Sequence, residues 1–147
     1  LPMSDISKNS ITIDAAISDV AAVLTDLPGY PSWSSAIKSV EVQSSDDQGR
    51  ALNAKISIDA GVMKDRVTLD YDWSKAPTEI SFSLDDADLL TEMSGAYKLS
   101  DNGDESTTVT YELTVALSMP VPAMMRQKAE LSTIDLALKQ LKAKLED

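Results

Sequence analysis

The C-terminal end of the chain has the apolar spacing of a long helix. From Gln127 onward, apolar residues recur at alternating intervals of three and four positions, at Leu131, Ile134, Leu138, Leu141 and Leu145. This spacing places them on one face of an α-helix. The segment Met119-Pro120-Val121-Pro122 marks the end of the preceding strand-like run. We therefore predict one long helix that buries this face against the rest of the protein.

The segment between residues 40 and 117 has the alternation of strands rather than the spacing of a helix. Apolar and polar residues alternate along six stretches, so each predicted strand has one apolar face. In one stretch, the residues predicted to share the covered face are Leu52, Ala54, Ile56 and Ile58. Turn sequences separate the stretches, at Asp46 to Gly49, Ala60-Gly61, Asp85 to Asp88 and Asp101 to Asp104. Strands joined by tight turns predict an antiparallel meander with one covered face.

One further strand and two short helices precede the meander. The segment from Ile6 to Ile13 alternates weakly and predicts a strand, and residues 16 to 25 have helical spacing. Two prolines and a glycine end this helix, and a second short helix is predicted from Pro31 to about Ile37. The order predicts a single α+β domain over residues 1–147, because no repeat or linker indicates a second one.

The charge of the chain limits its partners. Thirteen Lys and Arg residues stand against 24 Asp and Glu residues, which gives a net charge of −11. This balance disfavours nucleic acid and anionic membrane surfaces as partners, since both attract clustered cations. The sequence has no apolar run of about 20 residues and no signal-peptide pattern, so we expect no stable membrane insertion and a cytoplasmic location. None of these features excludes a protein as a partner.

The chain contains neither Cys nor His, which removes most familiar catalytic and metal sites. Thiol catalysis, a Ser-His-Asp triad and an ordinary zinc site are excluded. The acidic turns do not have the spacing of a calcium loop, so we predict neither a metal nor a cofactor. Any chemistry must therefore use carboxylates, Lys, Arg, Tyr or Ser.

Several local motifs, together with the order of elements, resemble a known family. They are Ile13-Asp14-Ala15-Ala16, the run Val23 to Trp33 (VLTDLPGYPSW), Gly95 to Leu99 (GAYKL) and Pro120-Val121-Pro122. The chain resembles the START-like (SRPBCC) helix-grip superfamily, in particular the bacterial polyketide cyclase/dehydrase and lipid-transport group, which includes coenzyme-Q-binding relatives. The resemblance covers nearly the whole chain. It implies a seven-stranded antiparallel sheet curved around the C-terminal helix and an apolar pocket between them, but it does not specify an activity.

Asp65 is the residue that fits least well with its surroundings. It shares the predicted apolar face of Met63, Val67 and Leu69, so its carboxylate should point inward and requires a partner. It could anchor a ligand hydroxyl or act as a general base. A bulge after Gly61 could instead turn it outward.

The other candidates for the pocket each have a structural alternative. Trp33 could cover a ligand or fix the short helices, and Tyr97 and Tyr111 could donate to a ligand or pack in the core. Methionines suit an adaptable pocket but also fill gaps in cores. Gly95 is predicted to let the sheet bend. The residues predicted to line the pocket are Trp33, Met63, Asp65, Phe82, Met93, Tyr97, Tyr111, Met124, Gln127 and Leu131.

Three functions are compatible with these observations. The first is a carrier or sensor that binds a hydrophobic small molecule such as a lipid, an isoprenoid or a polyketide-like aromatic. The second is a cofactor-free cyclase or dehydratase that uses Asp65 and a Tyr for proton transfer. The third is a regulatory or toxin-like interaction protein with a vestigial pocket. The sequence favours the first, since it lacks inward-facing paired acids and any His.

Overall fold

A seven-stranded antiparallel sheet and a long C-terminal helix form the architecture. The computed structural model describes residues 6–61 and 64–146. The strands are β1 (Ser7–Ile13), β2 (Ile37–Ser45), β3 (Ala51–Asp59), β4 (Lys64–Asp72), β5 (Glu79–Ala87), β6 (Leu90–Asp101) and β7 (Thr107–Leu117). Helix α1 (Ile17–Thr25) and a 3₁₀ helix (Leu27–Ser32) lie between β1 and β2, and α2 (Ala123–Glu146) follows β7. The predicted helix-grip architecture is confirmed.

The sheet order follows from the short connections. From β2 to β7 each strand pairs with the next, and β1 pairs with β7, giving the order β1-β7-β6-β5-β4-β3-β2. Tight turns favour antiparallel neighbours, which explains the predicted and observed meander. The turn between β6 and β7 uses Gly103 at φ +84°, a left-handed conformation that glycine adopts without steric cost.

Helix α2 packs one apolar face against the sheet. Ile134, Leu138 and Leu141 are buried, as the helical spacing predicts. Leu131 was predicted on the same line but is 39% exposed, whereas Glu130 is 1% exposed. The prediction for Leu131 is wrong because Glu130, one helical turn before Ile134, lies on the buried face of α2 in its place.

Two further predictions about local structure are wrong. The second short helix is the 3₁₀ helix at Leu27–Ser32, not a helix from Pro31 to Ile37, where β2 already begins. Pro28 and Pro31 fix φ and lack a backbone donor, so this segment forms a tight 3₁₀ turn rather than an α-helix. Leu52 is exposed and Ala51 is buried, because the pairing of β2 with β3 shifts register near this end.

Among the described residues, no helix is long and apolar enough to span a bilayer.

Candidate functional site

The aromatic residues of the chain gather around one small space between the sheet and α2, which we call the inner cavity. Its aromatic lining contains all four tyrosines and the single phenylalanine of the chain, Tyr30, Tyr71, Phe82, Tyr97 and Tyr111. The volume of the inner cavity is about 50 Å³. That volume suits a few water molecules, whereas ligand pockets measure roughly 300–1,000 Å³. The inner cavity in this form is therefore too small for an organic ligand.

Ring packing holds the inner cavity in shape. The rings of Tyr97 and Tyr111 are stacked with centroids 4.1 Å apart, and those of Tyr71 and Phe82 are tilted at 5.7 Å. The hydroxyl of Tyr30 donates to the carbonyl of Leu24 at 2.6 Å, which ties the 3₁₀ helix to the end of α1. The aromatic cluster therefore joins the sheet and the short helices into one packed unit.

The tyrosine hydroxyls are donors rather than bases at neutral pH. Burial, and then the neighbouring Tyr111, Tyr30 and Tyr71, raise the pKa of Tyr97 well above its ordinary value. Burial also raises the pKa of Tyr111 and of Tyr71. A phenol with a raised pKa stays protonated, so these groups can donate a hydrogen bond to a carbonyl but do not accept a proton.

Both tryptophans pack behind this cluster. Trp33 is buried, its ring lies 4.9 Å from that of Tyr30, and its Nε1 has no hydrogen-bond acceptor among the described residues. Trp73 stacks on Tyr71 at 5.7 Å and donates from Nε1 to the carbonyl of Ala51 at 2.7 Å. Neither contributes to the lining of the inner cavity.

A second, larger space lies between the N-terminal half of α2 and the neighbouring strand ends and turns; we call it the outer groove. Its volume is about 820 Å³, within the range of ligand pockets. Leu89 and Met125 in its lining are 60% and 63% exposed, and exposed clustered apolar side chains mark binding surfaces. The described residues that line it are Gly61, Lys64, Leu89, Leu90, Val115, Ala116, Leu117, Val121, Met125, Arg126, Lys128, Ala129 and Ser132.

The outer groove and the inner cavity follow the same face of α2. Met125, Ala129 and Ser132 line the outer groove, and Leu136 and Gln140 line the inner cavity. These five positions are three or four residues apart, so they form one continuous stripe. A ligand that enters the outer groove therefore has the inner cavity in line with it.

Asp65 is buried, and its carboxylate is occupied by backbone donors. Its Oδ2 accepts from the amides of Leu89 at 3.0 Å and Leu90 at 2.8 Å, and its Oδ1 accepts from the amide of Arg66 at 2.7 Å. The inward orientation was predicted, but the partner is the turn between β5 and β6 rather than a free pocket. Asp65 thus fixes the turn that supplies Leu89 and Leu90 to the outer groove.

Replacing Asp65 with Ala is expected to loosen this turn. The loss of a carboxylate that accepts several amides should lower the free energy of unfolding by about 1.5 kcal/mol. Amide hydrogen exchange at Leu89 and Leu90 should speed up more than exchange in β7. The control is Asp88→Ala in the same turn, since Asp88 is exposed. Unchanged exchange at Leu89 and Leu90 would contradict this role for Asp65.

Gly95 allows a close approach of Phe82 on the neighbouring strand. A Cβ at position 95 would lie 2.5 Å from Cζ of Phe82 and 2.9 Å from the backbone oxygen of Glu112. Both distances are shorter than a van der Waals contact. Close packing is therefore a second reason for glycine at position 95, in addition to the sheet bend that the sequence predicts.

Gly95→Ala should consequently destabilise the protein. Overpacking against a backbone atom and a buried ring should lower the free energy of unfolding by about 1.5 kcal/mol, measured by urea denaturation. The cost of Gly95→Ala should be smaller in a Phe82→Leu background than in the unmodified protein, because the ring is one of the two obstacles. An unchanged midpoint for Gly95→Ala alone would show that the sheet yields at this point without cost.

The structure brings only some of the predicted site residues together. Phe82, Met93, Tyr97 and Tyr111 line the inner cavity. Gln127 is half-buried and Met124 is 81% exposed, and neither of them nor Leu131 contributes to the described lining of either space. Met63 lies outside the described residues. The ligand-binding role of these residues stays a prediction.

Glu130 is a buried carboxylate that sequence reasoning missed. Its Oε1 accepts from Oγ of Ser7 at 2.6 Å, and its Oε2 accepts from the amide of Val115 at 2.7 Å and Nη1 of Arg126 at 2.9 Å. These bonds tie α2 to β1 and β7 beside the outer groove. The neighbouring Arg126 at the preceding helical turn was the available signal, since a buried acid needs a cation or donors.

The fold is found in solved structures of low sequence identity. A START superfamily protein from Mycobacterium smegmatis has a TM-score of 0.89 at 20% identity, with 96% of this chain and 97% of that chain covered. A protein from Thermus thermophilus has a TM-score of 0.81 at 19% identity, with the same shares covered. The Zhui aromatase/cyclase from a Streptomyces species has a TM-score of 0.77 at 18% identity, with 97% and 93% covered.

The sequence itself matches a family over nearly its whole length. No curated protein matches this sequence. The family described as "Polyketide cyclase / dehydrase and lipid transport" matches residues 6–146. That range contains both spaces and every element that forms them. The chain therefore belongs to the polyketide cyclase/dehydrase and lipid-transport family.

Proposed function

We propose that this protein binds a hydrophobic small molecule in the outer groove, as a carrier or sensor. The observation that carries the proposal is an apolar groove of about 820 Å³ beside an inner cavity of about 50 Å³. Of these two spaces among the described residues, the outer groove is the one with the size of a ligand site. Lipids, isoprenoids and polyketide-like aromatics are the ligand classes that its lining suits, because most of the affinity comes from burying apolar surface.

Leu89, Leu117, Val121 and Met125 expose apolar surface in or beside the groove. A ligand that covers them removes this surface from water. If the aromatic cluster opens, a longer apolar ligand can extend along the stripe on α2 from the outer groove into the inner cavity. Tyr97 and Tyr111 would then offer protonated hydroxyls to a ligand carbonyl.

The enzymatic alternative has less support. It requires a carboxylate free to accept a proton, and the carboxylate of Asp65 already accepts the amides of Arg66, Leu89 and Leu90. The tyrosines of the inner cavity hold their protons too tightly to serve as bases. The likeness to the Zhui aromatase/cyclase concerns the fold, at 18% identity.

Native mass spectrometry of freshly purified protein tests the proposal, together with organic extraction of any bound compound. We expect an apolar passenger, or saturable 1:1 binding of the neutral probe N-phenyl-1-naphthylamine after extraction. A protein that carries no passenger and binds no apolar probe saturably would contradict the proposal. That result would favour the interaction-protein alternative, in which the outer groove contacts a macromolecule.

A further inference from the structure

Among the described residues, the charged side chains that line the outer groove all have the same sign. They are Lys64, Arg126 and Lys128, and no acidic side chain among the described residues contributes to the lining. In the whole chain, acids outnumber Lys and Arg by 24 to 13. A groove that collects cations in an acidic protein has a charge pattern suited to an anion.

Two of the three cations have charge available for a ligand. Arg126 is paired with the buried carboxylate of Glu130 at 2.9 Å, so its charge is already compensated. The side chain of Lys64 is 77% exposed, and its Nζ is 3.8 Å from Oδ2 of Asp59, a weak surface pair. Lys128 is exposed and forms no ion pair within the described part of the chain.

The two lysines belong to different sides of the outer groove. Lys64 is the first residue of β4, and Lys128 lies on α2. The rest of the described lining is mostly apolar and includes Leu90, Val115 and Ala129. The inner cavity, which follows on the same face of α2, also has no acidic residue in its described lining. A ligand with one charged end and one apolar end matches this arrangement.

We infer that the outer groove binds an anionic amphiphile, whose head group meets Lys64 and Lys128 and whose chain lies along Val115 and Ala129. The inference rests on the proposed function, which it narrows from apolar molecules in general to those with an acidic head group. A carboxylate and a phosphate share this chemistry. Two exposed ion pairs should favour the anion by roughly tenfold over a neutral head group, and salt should weaken the preference.

The test compares ligands with the same chain and different head groups. Dodecanoate, dodecyl phosphate, dodecan-1-ol and dodecyltrimethylammonium are titrated below their micelle concentrations, and displacement of N-phenyl-1-naphthylamine is measured. We expect the two anions to bind roughly tenfold more tightly than the alcohol, and the cation to bind most weakly. The stronger of the two anions identifies the head group as carboxylate or phosphate.

A double variant, Lys64→Met with Lys128→Met, should remove the preference, measured as the ratio of the anion affinity to the dodecan-1-ol affinity of the same variant. Lys139→Met, an exposed position of α2 outside the groove lining, is the matched control and should keep the preference. Equal binding of the anions and the alcohol by the unmodified protein would overturn the inference but leave the proposed function standing. Failure of every ligand and of the neutral probe would overturn both. If the protein self-associates and the probe no longer binds, the inference is overturned. The outer groove would then be occupied by a second copy of the chain.

Discussion

Replacing Ala129 with Trp is expected to lower the affinity for a neutral apolar ligand by about thirtyfold. Ala129 is half-buried and lines the outer groove, so an indole ring at this position occupies the space that the ligand needs. Excluding about 80 Å² of apolar ligand surface costs about 2 kcal/mol, which corresponds to that factor in the dissociation constant. The measurement is a titration with N-phenyl-1-naphthylamine, followed by its fluorescence.

The matched control for this variant is Ala143→Trp. Ala143 is exposed on the same helix and is outside the lining of both spaces, so the same side chain there should leave the affinity unchanged. Ser132→Trp repeats the test at an exposed groove position, in case the substitution at Ala129 disturbs packing. Unchanged affinity in both groove variants would show that the ligand binds elsewhere.

Glu130→Ala should destabilise the protein more than any other change considered. The side chain of Glu130 is fully buried, and its removal leaves the amide of Val115, the hydroxyl of Ser7 and the guanidinium of Arg126 without their acceptor. Breaking a buried pair by removing one partner costs about 3–5 kcal/mol. We therefore expect the free energy of unfolding from urea denaturation to fall by about 3–4 kcal/mol.

Two further variants separate the causes of this effect. Glu92→Ala removes an exposed acid from β6 and should change the free energy of unfolding by less than about 0.5 kcal/mol. Glu130→Gln keeps the size of the side chain and one acceptor oxygen but loses the charge, so its effect should be intermediate. If Glu130→Ala unfolds at the same urea concentration as the unmodified protein, the bonds of Glu130 do not hold α2 on the sheet.

The architecture could be predicted because each element has its own period in the sequence. The spacing of Ile134, Leu138 and Leu141 is helical over about two turns. Between residues 40 and 117, apolar and polar residues alternate along strands that tight turns separate. The predictions are wrong at positions where a shift of one residue moves the buried face to the neighbouring position. A register shift between β2 and β3 exposes Leu52, and the buried line of α2 passes through Glu130 instead of Leu131. Periodicity alone does not specify such shifts.

The inner cavity could be predicted in part, whereas the outer groove could not. Phe82, Met93, Tyr97 and Tyr111 lie on regular strands, and alternation assigns them to the covered face. The groove is lined mostly by turns, strand ends and the first turns of α2, and no single period relates residues from these different elements. Lys128 resembles any solvent-facing lysine in the sequence. Its position beside an apolar groove depends on how α2 meets the sheet, which no local pattern encodes.

The difference in size between the two spaces determines how ligand binding has to work. The aromatic cluster around the inner cavity is closely packed, with the rings of Tyr97 and Tyr111 4.1 Å apart. A ligand can occupy the outer groove without disturbing that packing, whereas the inner cavity, at about 50 Å³, can hold an organic ligand only if its lining moves apart. We therefore expect the initial binding to occur in the outer groove.

Methyl NMR of the methionines tests this assignment most directly. Met125 lines the outer groove and Met93 lines the inner cavity, so their methyl signals report on the two spaces separately. During titration with dodecan-1-ol, we expect a saturable shift of the Met125 methyl signal that Ala129→Trp abolishes and Ala143→Trp preserves. Saturable binding that leaves the Met125 signal unchanged would contradict the central claim that the outer groove is the ligand site.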